Sequence, residues 1–164
     1  AAIEAEMPLT QPANKIVGLF VNPDATEIES TADDTGIDYI QLHGDESPEF
    51  AQRFAQRCIK ALPLSRVEDL ELISNYSCPC ILVDSQSPGR GGSGLQADWD
   101  LAAQAGQKHS QMLLAGGLRP DNVSEAIAKV IHYGVDLASG VESAPGVKDA
   151  NKVREFVKAV RGCQ

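Results

Sequence analysis

Two aspartates close apolar runs in this chain, Asp84 in "ILVDS" and Asp136 in "VDLASG". A carboxylate at the end of a buried strand sits at the mouth of a sheet, where it can act as an acid or a base. The same residue can also do no more than cap the loop that follows. Directly after Asp84 comes "PGRGGSG", in which Gly89, Gly91, Gly92 and Gly94 surround Arg90 and Ser93. Such a loop can close over a ligand and offer it backbone N–H groups, or it can be a plain flexible connector.

A third stretch, "LLAGGLRPDNV", ends an apolar run in two glycines and then turns to helix-starting residues. Gly116 and Gly117 bring bare N–H groups near a helix start, an arrangement that suits an anion, usually a phosphate. A tight strand-to-helix turn without a ligand is the competing reading. Ser139 and Gly140 resemble a second anion cradle after the strand that ends in Asp136. His43, in "QLHGDES", falls on the same rim; it is either a substrate contact or a hydrogen-bonded structural histidine.

The elements that must position these residues follow a regular alternation. Apolar strands are expected at 15–21, 39–43, 58–64, 78–85, 111–117 and 134–140. Helices are expected at 24–36, 47–57, 65–77, 98–107, 121–132 and 149–161. Six β–α units in a row, without a linker between them, imply one α/β domain over 1–164 with a parallel sheet covered by helices. A doubly wound sheet and a TIM (β/α)8 barrel both satisfy that pattern. No G-x-G-x-x-G follows the first strand, and the polar or glycine-rich segments follow nearly every strand. In a barrel all those ends converge on one face, so the barrel is favoured. Two adjacent glycine turns on the last two barrel strands then match the phosphate site of that fold, one half from Gly116 and Gly117, the other from Ser139 and Gly140.

Bulk properties narrow the partners. The 164 residues are 43% hydrophobic and 23% charged, as in a soluble globular protein. A formal charge of −9 argues against nucleic acid and anionic membranes, though not against a small phosphorylated substrate. No apolar segment approaches a membrane span and no signal peptide is visible. Cysteines 58, 78, 80 and 163 and histidines 43, 109 and 132 have neither disulfide nor metal spacing, which implies reduced thiols and a cytoplasmic protein.

Taken in order, "VGLFVNPD", "IQLHGDESPE", "IKAL", "ILVDSQSPGRGGSG", "LLAGGLRPDNVSEAI" and "GVDLASGVESAPGVKDANKVREFV" resemble the phosphoribosylanthranilate isomerases of tryptophan biosynthesis. The resemblance runs from about residue 15 to the end. It implies a cofactor-free Amadori rearrangement of N-(5′-phosphoribosyl)anthranilate to 1-(o-carboxyphenylamino)-1-deoxyribulose 5-phosphate. By the same resemblance, Asp84 is the general acid, and Gly89–Gly94 is the active-site loop. Gly116, Gly117, Ser139 and Gly140 hold the phosphate, Asp136 lies near the ribose, and His43 lines the pocket.

The chain also departs from that family. The K-x-C-G motif that carries the family's general-base cysteine is missing, as is the arginine that binds the anthranilate carboxylate. Ala138 stands where many relatives have Ser. The chain opens "AAIEAEM", partway through a helix, so it is expected to supply strands 3–8 of an eight-stranded barrel whose N-terminal part is missing. The alternative expectation is a catalytically silent phosphate-binding half-barrel. Indole-glycerol-phosphate synthase, another phosphosugar barrel, leans on strand-end lysines, whereas Lys60 is the one lysine in a later strand here. Monomer and homodimer are both compatible with the sequence.

Overall fold

A computed structural model of the chain describes residues 14–84, 98–130 and 133–163. Strands β1 (Val17–Phe20), β2 (Tyr39–Leu42), β3 (Cys58–Pro63), β4 (Cys80–Asp84), β5 (Met112–Ala115) and β6 (Gly134–Val135) form one sheet. Helices α1 (Ala25–Thr35), α2 (Pro48–Gln52), α3 (Leu70–Ile73), α4 (Trp99–Lys108) and α5 (Val123–Lys129) alternate with them. A hairpin of β7 (Glu142–Ala144) and β8 (Val147–Lys148) precedes the last helix, α6 (Ala150–Arg161).

The strand order is β1-β2-β3-β4-β5-β6, and each neighbouring pair is parallel. A doubly wound sheet must reverse direction at a switch point. Crossovers between parallel strands are right-handed, so an order that never reverses sends successive helices to one face. That is the barrel type of winding, and it sets all strand C-termini on one rim.

Side-chain alternation along the strands confirms the two faces. Phe20, Ile40, Leu42, Cys58, Leu62, Ile81, Val83, Met112 and Leu114 pack with helix residues such as Ile28, Ala102 and Phe156 in the main core. Residues of the opposite parity, Ile59, Ala61, Leu82 and Ala115, form a separate small cluster on the inner face. Asp84 has the parity of Leu82, so it crowns that inner face. On β1 the same parity leaves Val17 and Leu19 43% and 58% exposed, so the inner face is open at this edge among the described residues.

Several helices are shorter than the periodicity predicts. The Ser47 hydroxyl caps α2 by accepting from the Phe50 N–H, but the helix gives way after Gln52 to turns through Arg57. The expected helix at 65–77 becomes a 3-10 turn, Val67–Asp69, followed by one turn of α3. At 134–140 the strand stops after Val135 and a 3-10 turn, Ser139–Val141, takes over. The β7–β8 hairpin has no counterpart in the expected alternation, because its strands are too short to leave a periodic signature. By contrast, α1 keeps its expected limits: the Asp24 side chain accepts from Glu27 N–H, and Gly36 ends the helix in the left-handed conformation.

Candidate active site

A cavity of about 140 Å³ opens on the rim of strand C-termini. His43, Asp84, Gly116, Gly117, Asp136, Ser139 and Gly140 all line it, together with Ala115, Leu118, Leu137 and Ala138. The residues read from the sequence as chemical candidates therefore converge, apart from the loop Gly89, Arg90, Gly91, Gly92, Ser93 and Gly94, which lies outside the described residues.

Backbone bonds to neighbouring strands fix the three titratable members. The N–H of His43 donates to Phe20 O at 2.8 Å, and that of Asp136 donates to Leu114 O at 2.8 Å. The Asp84 carbonyl accepts from the Leu64 N–H at 3.0 Å. Each residue thus continues its strand's ladder by one step, which aims its side chain inward.

The His43 ring is oriented by a buried neighbour. Gln41 Nε2 lies 3.0 Å from His43 Nδ1. An amide nitrogen can only donate, so this contact favours the tautomer in which Nδ1 accepts and Nε2 carries the proton. Gln41 is a positioning residue that the strand pattern did not reveal: a polar side chain on an inner-facing strand position, two residues before the histidine, is the signal. The Asp136 carboxyl is pushed above its ordinary range by burial and by the Asp84 charge, while His43 and Lys148 pull it down. Asp136 thus shares one cavity with a second carboxyl group and an imidazole, and a buried carboxyl with raised proton affinity in a cleft is a mark of functional sites.

Another part of the cavity lining is almost free of side chains. Gly116 and Gly117 both have positive φ, 97° and 62°. The Asn122 side chain locks this turn: its Oδ1 accepts from Arg119 N–H at 2.7 Å and its Nδ2 donates to Gly117 O at 3.0 Å. The Asn122 side chain therefore makes no capping bond to α5, which begins at Val123. Gly140 comes from the next strand end and packs its bare Cα against the Leu118 carbonyl. Lys148 holds this second turn, donating from Nζ to Ala138 O at 2.6 Å and to Glu142 Oε1 at 2.8 Å.

None of the cysteines reaches the cavity. The Cys58 and Cys78 sulfurs are buried and face one another at 3.1 Å. Cys80 starts the strand that Asp84 ends, which separates them by about 13 Å of extended chain, and Cys163 is exposed just after the C-terminus of α6. Among the described residues no group of His, Cys, Asp and Glu is arranged to hold a metal ion, and no helix is long and apolar enough to cross a membrane.

Compared with models of protein families, residues 2–159 match that of N-(5′-phosphoribosyl)anthranilate (PRA) isomerase. The chain belongs to that family. The PRA isomerase of Geotalea uraniireducens is 49% identical over 148 residues, covering 90% of this chain and 72% of the relative. That of Geobacter sulfurreducens is 45% identical over 163 residues, covering 99% and 78%. The PRA isomerase crystal structure from Thermotoga maritima superposes with a TM-score of 0.85 at 37% identity, over 93% of this chain and 75% of that one. A PRA isomerase solved with reduced 1-(o-carboxyphenylamino)-1-deoxyribulose 5-phosphate superposes with a TM-score of 0.80 at 33% identity, over 96% and 75%. The chain thus spans about three quarters of the length of these relatives.

Proposed function

We propose that the cavity isomerises N-(5′-phosphoribosyl)anthranilate to 1-(o-carboxyphenylamino)-1-deoxyribulose 5-phosphate, a step of tryptophan biosynthesis. The observation that carries this reading is the meeting of Asp84 with two glycine turns in one cavity, in a chain matched by the PRA isomerase model over residues 2–159. A relative holds a reduced form of the product, and that ligand joins a phosphate to a sugar-derived chain and an anthranilate, the three parts such a cavity must separate.

The chemistry assigns roles by position. Asp84 gives its proton to the furanose ring oxygen as the C1–O bond breaks, with the anilino nitrogen's lone pair forming the C1=N bond. A base then takes the proton from C2, and the enolamine that results tautomerises to the aminoketose. Oxidation at C2 and reduction at C1 balance within the molecule, so the reaction needs no cofactor. Gly116 and Gly117, with Ser139 and Gly140, offer N–H groups to the 5′-phosphate, and Asp136 and His43 bind the ribose portion. The base is the cysteine of the K-x-C-G motif, which is not among these residues.

The same reading places the six sheet strands as strands 3–8 of an eight-stranded barrel, within one domain. The open inner face along β1 supports this, since two further strands would cover Val17 and Leu19. The protein is then a cytoplasmic enzyme acting on a small phosphorylated substrate, as a monomer or a homodimer; a T. maritima relative is described as dimeric. Loss of anthranilate-ester fluorescence on adding the protein, together with the strand that carries the K-x-C-G cysteine, to freshly made substrate tests the activity. Phosphate binding without any loss of fluorescence would sink it.

A further inference from the structure

The largest fully buried side chain of the described core is a lysine. Lys60 is 1% exposed and pairs with Glu46, 3% exposed, at 2.9 Å. Its strand parity is that of Cys58 and Leu62, so it leaves β3 on the helix side of the sheet, away from the inner face. From there its ammonium reaches the rim, donating to Gly44 O at 2.7 Å, Ala61 O at 2.9 Å and Leu42 O at 3.3 Å.

Glu46 does the complementary work. Its carboxylate accepts from the N–H of Asn22 at 2.8 Å and from that of Gly44 at 3.0 Å. Asn22 sits at φ +51° just beyond β1, and its Oδ1 accepts from Asp45 N–H at 2.7 Å. Gly44 lies so close to Asn22 that a Cβ there would collide with it. The Tyr76 hydroxyl donates to Glu46 O at 2.8 Å, and the Lys60 ammonium stands 5.7 Å from its ring centroid. The ends of β1, β2 and β3 are therefore tied together through one ion pair placed behind His43.

Stability alone gives no reason for that construction, because an apolar pair of similar volume usually serves a core as well or better. What an apolar pair cannot do is bond the five backbone groups that Asn22, Leu42, Gly44 and Ala61 present to it. We infer that Glu46 and Lys60 are positioning residues for the cavity: they fix the His43–Asp45 turn and so hold the His43 ring against the Gln41 amide that orients it. This rests on reading the cavity as the isomerase site.

The test uses the isosteric variant Glu46→Gln and the neutral double variant Glu46→Gln with Lys60→Met. In both, amide exchange at Gly44 and Asn22 should quicken about tenfold or more, and the His43 ring nitrogens should lose their single-tautomer NMR pattern. Turnover should fall about tenfold or more, with KM and inorganic-phosphate affinity changed less than about twofold. The double variant removes both charges, so its melting temperature should recover relative to Lys60→Met alone while turnover stays low. Asn22→Ala, on the exposed side of the same clasp, should move the His43 signal and turnover in the same direction with smaller amplitude. Folded variants with unchanged His43 tautomer and unchanged turnover would overturn the inference. A parent protein that carries the base strand and binds phosphate but does not turn over would overturn the isomerase reading alone, since the amide and imidazole signals judge the positioning role by themselves.

Discussion

Gly140 and the carbonyl of Leu118 touch so closely that no methyl group fits between them. The turn after β6 is thereby seated on the turn after β5, and the two side-chain-poor segments become one surface. Asn122 from one side and Lys148 from the other hold that surface in place. The expected consequence is that backbone space, more than any side chain, controls phosphate affinity here.

Gly140→Ala should therefore raise KM and weaken competition by inorganic phosphate about tenfold, with a stability loss of about 1–3 kcal/mol from the forced shift. Gly117→Val should act in the same direction through its positive φ, which a β-branched residue resists at a cost of about 1–3 kcal/mol. Phosphate titration followed by calorimetry checks both. Unchanged affinity in the two variants would return the glycines to a plain tight turn.

In the enzyme that includes the base strand, Asp84→Asn should lower kcat by about 100-fold or more with KM nearly unchanged, because an amide cannot deliver the proton to the ring oxygen. Steady-state fluorescence assays decide this. If kcat holds and only the melting temperature falls, Asp84 is a loop cap.

Asp136 carries a pH signature of its own. Burial and, to a lesser extent, the Asp84 charge raise its folded-state pKa above the unfolded value of 3.8. The folded state then binds the proton more tightly, so this group's contribution is fully present below pH 3.8 and is lost as pH rises through the folded value. Asp136→Asn should raise the melting temperature by about 2 °C at pH 7, and the gain should vanish near pH 3. Thermal melts across pH 3–8 test the sign, and turnover should fall in the same variant.

Glu46 has the opposite dependence. Burial pushes its carboxyl up, but the Lys60 ammonium and the Asn22 N–H outweigh that and hold it below the ordinary value of 4.5. Its stabilising contribution is present above pH 4.5 and is lost as pH falls through the lower folded value. Urea melts should show a shallower acid limb in the double variant Glu46→Gln with Lys60→Met than in the parent. Parallel acid limbs would mean that the pair adds nothing to acid sensitivity.

The sequence by itself determined the β–α alternation, the rim position of Asp84, Asp136 and His43, and the glycine turns. Each of those signals is local: an apolar run, its last residue, and the few residues that follow. Local patterns also marked the ends of α1, where Asp24 and Gly36 act within one helical turn. Tertiary structure alone decided the unreversed strand order, because parallel pairing joins residues some twenty positions apart, as Val17 with Tyr39. It also decided where α2 and α3 stop, since short helices depend on packing more than on periodicity. Lys60 shows the limit most clearly. In "IKAL" it reads as a lone strand lysine, and "GDES" reads as a polar turn. Only the fold brings Glu46 to within 2.9 Å of it and removes water from both. Burial of a charge is decided by everything packed around it, and no short stretch of sequence contains that information.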